Sequence, residues 1–142
     1  MTTRWRPRVG DERGAAAVEF AIVVSLLLLL VFGIIAFGMF YSRFQVFQGA
    51  AREGARLAAV RASQDEIRQR VVDSAGPYGA EIPSSTIAVQ IDDVTSTATE
   101  PCSDSTSGHK VTVTWDQPFD IVLPLVPSLT FTVTIRGVFR CE

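Results

Sequence analysis

Histidine, lysine and cysteine are nearly missing from this sequence, and their scarcity removes several classes of function at once. The one histidine, His109, sits beside the one lysine, Lys110, in a Ser/Gly stretch, with no cysteine or second histidine at ligand spacing. It reads as a solvated loop residue, so no enzyme activity, metal or cofactor is expected. Asp92-Asp93 and Asp116 with Asp120 lack the spaced, oxygen-rich loop that calcium needs. Trp115 and Phe119 are most simply core or sheet edge. The balance of 13 Lys+Arg against 15 Asp+Glu contains no basic stripe, so nucleic acid is not an expected partner.

Two longer absences are more informative. No charge occurs from Phe20 to Tyr41, 22 residues, and a helix needs about 20 apolar residues to cross a bilayer. What remains of the chain is too small to wrap an all-round apolar rod, which favours membrane over soluble core. No proline occurs between Pro7 and Pro77, so nothing forces the helix to stop at the membrane surface. Gly33 and Gly38 are tolerated in membrane helices and let a neighbour approach.

Charge does not set the orientation. Residues 1–14 carry a net +2 through Arg4, Arg6, Arg8 and Arg13, while residues 42–142 carry −3. Yet Arg43, Arg52, Arg56 and Arg61 match the leader's arginines just past the other end of the span, so the positive-inside rule is blunted. A secretory signal peptide cut near Gly49-Ala50-Ala51 would need an apolar core of only 7–15 residues, far shorter than this one.

Beyond Tyr41 the pattern becomes amphipathic. Leu57, Val60, Ile67 and Val71 recur at helical spacing, and Gly76-Pro77 ends the run. Within it Ala50, Gly54, Ala58 and Ala62 lie four apart, beside a parallel row of Ala51, Ala55 and Ala59. Small residues at that interval admit a closely packed partner, although alanine is also simply a good helix former. From Ile87 the period changes to two, in Ile87–Ile91, Val111–Trp115 and Phe131–Ile135. A polar loop, Asp92 to His109, and an apolar connection, Pro118 to Pro127, separate the three segments.

The expected fold is therefore α+β. Residues 1–14 are a cytoplasmic leader, 15–41 a transmembrane helix, and 42–76 its amphipathic extension, packed on a small antiparallel sheet within 77–142. Cys102 and Cys141 fit one disulfide in an oxidising compartment, the alternative being two unrelated thiols. The disulfide would put the C-terminal domain outside the cytoplasm.

Glu19 is the residue that needs explaining. A carboxylate five residues into an apolar span costs up to about 2.5–3.5 kcal/mol, less near an end. If the chain is cut after Gly14, the new amino group on Ala15 of a neighbouring chain is a ready partner for Glu19. An uncut chain with Glu19 at headgroup depth is the other reading, and the residues alone leave both open.

Arg13-Gly14-Ala15-Ala16-Ala17-Val18-Glu19-Phe20, the leucines 26–30, Phe32-Gly33-Ile34-Ile35 and Ala50-Ala51-Arg52-Glu53-Gly54-Ala55-Arg56 together resemble the TadE-like pseudopilins of the Flp, or tight-adherence, pilus system. The likeness covers residues 13–61. It implies cleavage between Gly14 and Ala15 by a membrane aspartyl prepilin peptidase, and a minor role in assembling an adhesive pilus. Implied partners are that peptidase, other pilins and pseudopilins, pilus assembly proteins and membrane lipid. The place is the inner (cytoplasmic) membrane, with the N-terminus cytoplasmic. Two positions depart from the family pattern: Ser25 where proline is common, and Ala36 where a second glutamate is common. An unprocessed single-pass anchor bearing a small extracellular binding domain is the rival function.

Overall fold

The computed structural model describes residues 11–123 and 126–142, so most of the leader and Leu125 of the apolar connection lie outside the described residues. Helix α1 runs from Asp11 to Ala59 without a break, about 74 Å at 1.5 Å per residue. Ser25 Oγ donates to the Ala21 carbonyl one turn back, at 2.7 Å, so its hydroxyl is satisfied inside the apolar stretch.

The continuous helix expected over 42–76 is instead two helices. After Ala59 the chain tightens, with the Val60 and Arg61 amides bonded to the Leu57 and Ala58 carbonyls, both at 3.2 Å. Arg61 then takes a φ of 66°, the left-handed conformation that ends helices. Helix α2, Gln64–Ser74, starts on a capping box: Ser63 accepts from the Glu66 amide, and the Glu66 carboxylate accepts from the Ser63 amide at 2.9 Å. Proline is not needed to stop α1, because Ser63 offers a new N-terminus. Helix α2 folds back so that Ile67 and Val71 lie over Gly54. Val60, read as part of the apolar face, is 52% exposed; the buried stripe is the small-residue one.

Short 3-10 turns at Gly76–Glu81 and Ser84–Thr86 lead to β1 (Ala88–Ile91), β2 (Val94–Thr95), β3 (Lys110–Leu123) and β4 (Val126–Arg140). All neighbours are antiparallel, in the order β2-β1-β3-β4. The fold is thus α+β, as expected, with two differences. Val94 and Thr95, read as loop, form β2 because Asp92 and Asp93 both take positive φ and close a two-residue hairpin. Pro118–Pro127, read as a connection, is mostly strand: Pro118 pairs with Thr132, Phe119 with Phe131 and Ile121 with Leu129. Strand β1 pairs β3 only as far as Thr114, so Pro118 lies in a two-stranded ribbon and Pro127 on an edge strand, where a missing amide is tolerated.

One core joins these layers. Val89, Val111, Val113, Trp115 and Ile135 point from the sheet onto Phe47, Ala51, Ala55 and Ala58 of α1 and onto Ile67 and Val71 of α2. The side chains of α1 are small here because the partners come very close. A Cβ on Gly137 would strike the Ala51 carbonyl oxygen and the Arg52 amide, so β4 crosses backbone against backbone. Cys102 and Cys141 are bonded across 39 residues, with Cα atoms 5.4 Å apart, and both are buried. The Glu142 amide donates to the Ala59 carbonyl at 3.1 Å, so the chain beyond β4 closes the end of α1.

Two measurements test this packing. Gly137→Ala has only helix backbone to displace, and an overpacked core costs about 1–3 kcal/mol; the thermal midpoint of the purified chain should fall while membrane insertion is kept. Reducing the disulfide should remove about 3–4 kcal/mol for a loop of this length. Denaturant curves with and without reductant measure it, and free thiols in unreduced protein would contradict the pairing.

Candidate functional site: the bare half of the helix

The head domain leaves the N-terminal half of α1 uncovered. The most apolar 18-residue window has a mean hydropathy of 3.1 and none of it is buried by the rest of the chain. Phe20, Ile22, Leu26 and Ile34 are each at least 65% exposed. A soluble core helix would be covered, whereas this one presents apolar side chains all round, as a lipid-facing helix does. Ala36 is the first residue from the N-terminal side that the head buries.

Gly14, Ala15, Glu19 and Phe20 all lie on this bare stretch, in consecutive turns of α1, and all are exposed. Nothing stands within 4 Å of the Cβ position of Gly14. Glu19 makes no ion pair or hydrogen bond with its side chain among the described residues. The acidic group and the glycine are thus both accessible to another molecule, and among the described residues no cation neutralises the carboxylate.

The other sequence-marked residues sit elsewhere and do structural work. Ala50, Gly54 and Ala58 are buried against the sheet and α2, and Ala62 is partly buried in the turn. Their close-packing partner is the head itself. In the β1–β2 turn, Lys110 Nζ and Arg136 each bond Asp93 at 2.6 Å, and His109 Nδ1 lies 2.5 Å from Asp92. The Lys110 hydrogen bond, chiefly, holds the Asp93 carboxyl below its ordinary range, and the His109 hydrogen bond does so for Asp92. Among the described residues no group of three or more His, Cys, Asp or Glu converges as a metal site.

Sequence reading missed an aromatic cluster where the head meets the apolar stretch. Phe40 of α1 lies 5.0 Å from Phe119 and 5.2 Å from Phe131, ring centre to ring centre, and Phe47 lies 5.8 Å from Phe119. The phenylalanines on two separate strand segments were the available signal, but pairing them needs the β3–β4 register. Just above, Arg43 bridges to Glu81 at 2.8 Å and stands over the Tyr78 ring.

These features define a class: a small α+β head carried on one helix with the length and composition of a single-pass membrane anchor. The family model described as TadE-like protein matches residues 14–56, within α1. The match begins at Gly14 and stops before α2, so it bears on the helix and not on the sheet. No curated protein and no solved structure matches the chain.

The aspartate pairs make a pH prediction. Carboxyls held below their ordinary range contribute stability that is present above the unfolded-state value, near about 3.9, and lost as pH falls through the lowered one. The head should weaken on acidification below that value, and Asp93→Asn should flatten the slope. Thermal midpoints across the acid range read it directly.

Proposed function

We propose that this chain is a minor pilin-like subunit, or assembly factor, of a tight-adherence pilus. A prepilin peptidase cuts it after Gly14, and other pilins hold it through Glu19. The observation that carries the reading is an exposed carboxylate on a bare apolar helix, with no ion pair among the described residues, five residues past the glycine at which the TadE-like match begins. After cleavage the Ala15 amino group is positive, and a staggered neighbour brings it to Glu19. That contact gives attraction and register together in a medium where neither charge tolerates isolation.

The leader stays cytoplasmic and the head lies outside, in a compartment where the Cys102–Cys141 bond persists. The protein is structural: it performs no catalysis, takes no cofactor and contacts lipid, pilins and assembly proteins rather than nucleic acid. The unprocessed anchor is the competing reading, and it gives Glu19 no task.

Glu19→Gln separates the two. It removes the charge but keeps the size, so insertion should be equal or easier, and N-terminal sequencing of membrane protein should still begin at Ala15. Co-purification with other pilins, or pilus production, should fall while membrane levels hold. An intact N-terminus in cells with an active prepilin peptidase, or a variant with normal pili, favours the plain anchor.

A further inference from the structure

The β3–β4 hairpin does not end where the head ends. Val113 of β3 lies at the level of Gly54, and Phe119 of the same strand lies at the level of Phe40. Strand β3 therefore descends along α1 toward the apolar stretch and continues past Phe119. Further on, Ile121 and Val122 share a crevice of about 400 Å³, lined also by Arg43, Tyr78 and Asp120, with Ala36 and Met39. Both helix residues lie inside the charge-free run from Phe20 to Tyr41.

The composition of the hairpin changes at that level. From Ile121 to Leu129 no residue is charged, and Ser128 is the one polar side chain. Val122 is 71% exposed and Leu129 61% exposed, while Pro127 is exposed as well. Polar groups stop just above: Asp120 accepts from Thr130 at 2.6 Å, and the Arg43–Glu81 pair lies beside Tyr78 on the helix side. A tyrosine and paired charges over an apolar end is the arrangement found at a bilayer surface.

We propose that this hairpin end is a second membrane contact. Ile121, Val122, Pro127 and Leu129 dip into the leaflet on the head's side, and a lipid acyl chain fills the crevice against Ala36 and Met39. The proposal rests on reading α1 as membrane-spanning, and that reading itself supplies the occupant. If residues 20–41 are in the bilayer, side chains packed beside Ala36 and Met39 are at acyl-chain depth. The insertion is shallow. Three residues of strand beyond Asp120 reach about 10 Å, within one leaflet of a hydrocarbon core about 30 Å thick. Strand pairing carries most of the backbone groups into the contact: Ile121 pairs with Leu129 and Leu123 with Val126, with a register shift between the two pairs.

Tryptophan quenching in the full chain tests this. In a Trp5→Phe background that keeps the buried Trp115 as baseline, single variants Val122→Trp, Leu129→Trp, Phe37→Trp and Val94→Trp are reconstituted in phosphatidylcholine vesicles. Each is compared in plain lipid and in lipid with brominated acyl chains. Val122→Trp and Leu129→Trp should emit blue-shifted light and lose a large part of it to bromine. Val94→Trp, at the other end of the sheet, should lose none. Phe37→Trp reports the span itself. If it is quenched while Val122→Trp and Leu129→Trp emit as in water, the hairpin contact is wrong and the span stands. If those two are blue-shifted but unquenched, a second copy of the chain covers the hairpin and lipid does not. An unquenched Phe37→Trp would remove the membrane-spanning reading and the hairpin contact with it.

Discussion

Everything in the head depends on how closely β4 crosses α1. At Gly137 the strand touches the backbone of Ala51 and Arg52 with no side chain between, and Ala51, Ala55 and Ala58 keep the helix slim enough for the rest of the sheet to follow. Interiors pack to crystal-like density, so a close crossing at one point fixes the spacing around it. Phe47, Trp115 and Ile135 fill the wedge that opens away from the crossing. Helix α2 takes the other flank through Gly54, where Val71 sits in the place a Cβ would occupy.

That arrangement gives α1 two environments. Its C-terminal part is the middle of a soluble core, and its N-terminal part has apolar side chains with no protein over them. The change falls between Ala36, the first residue under the head, and Phe47, whose side chain is fully buried. Here Phe40 meets Phe119 and Phe131 edge to face, those two rings stack on each other, and Arg43 and Glu81 pair beside them. Because one helix is bare at one end and core at the other, it cannot tilt without carrying the head with it.

Much of this was legible in the residues. The charge gap from Phe20 to Tyr41 marks the bare half, the alternation at Val111–Trp115 and Phe131–Ile135 marks the two long strands, and the blocks between Arg13 and Arg56 carry the family likeness that the TadE-like match repeats over 14–56. The misreadings share a cause. Each lies where a local signal was weighed without its partner. Ser63 and Glu66 spell a helix start, but the missing proline argued for continuity. Asp92-Asp93 forms a hairpin turn that glycine and asparagine usually form. Pro118 and Pro127 read as loop because proline is costly in a central strand, and here the ladder has only two strands. Gly137 is silent until the helix backbone beside it is known. Glu19 was conspicuous from its neighbours alone, since the cost of a carboxylate among leucines does not depend on the fold.

The unbroken α1 also fixes an angle. Successive residues of an α-helix turn by about 100°, and no proline intervenes between Glu19 and the first residue under the head, Ala36. The direction in which Glu19 points and the direction in which the sheet faces are therefore locked in phase, like two vanes on one shaft. Any neighbour that engages the carboxylate also sets which side of the head it meets. One residue added between them would leave both ends chemically intact and turn one against the other by more than a quarter of a circle.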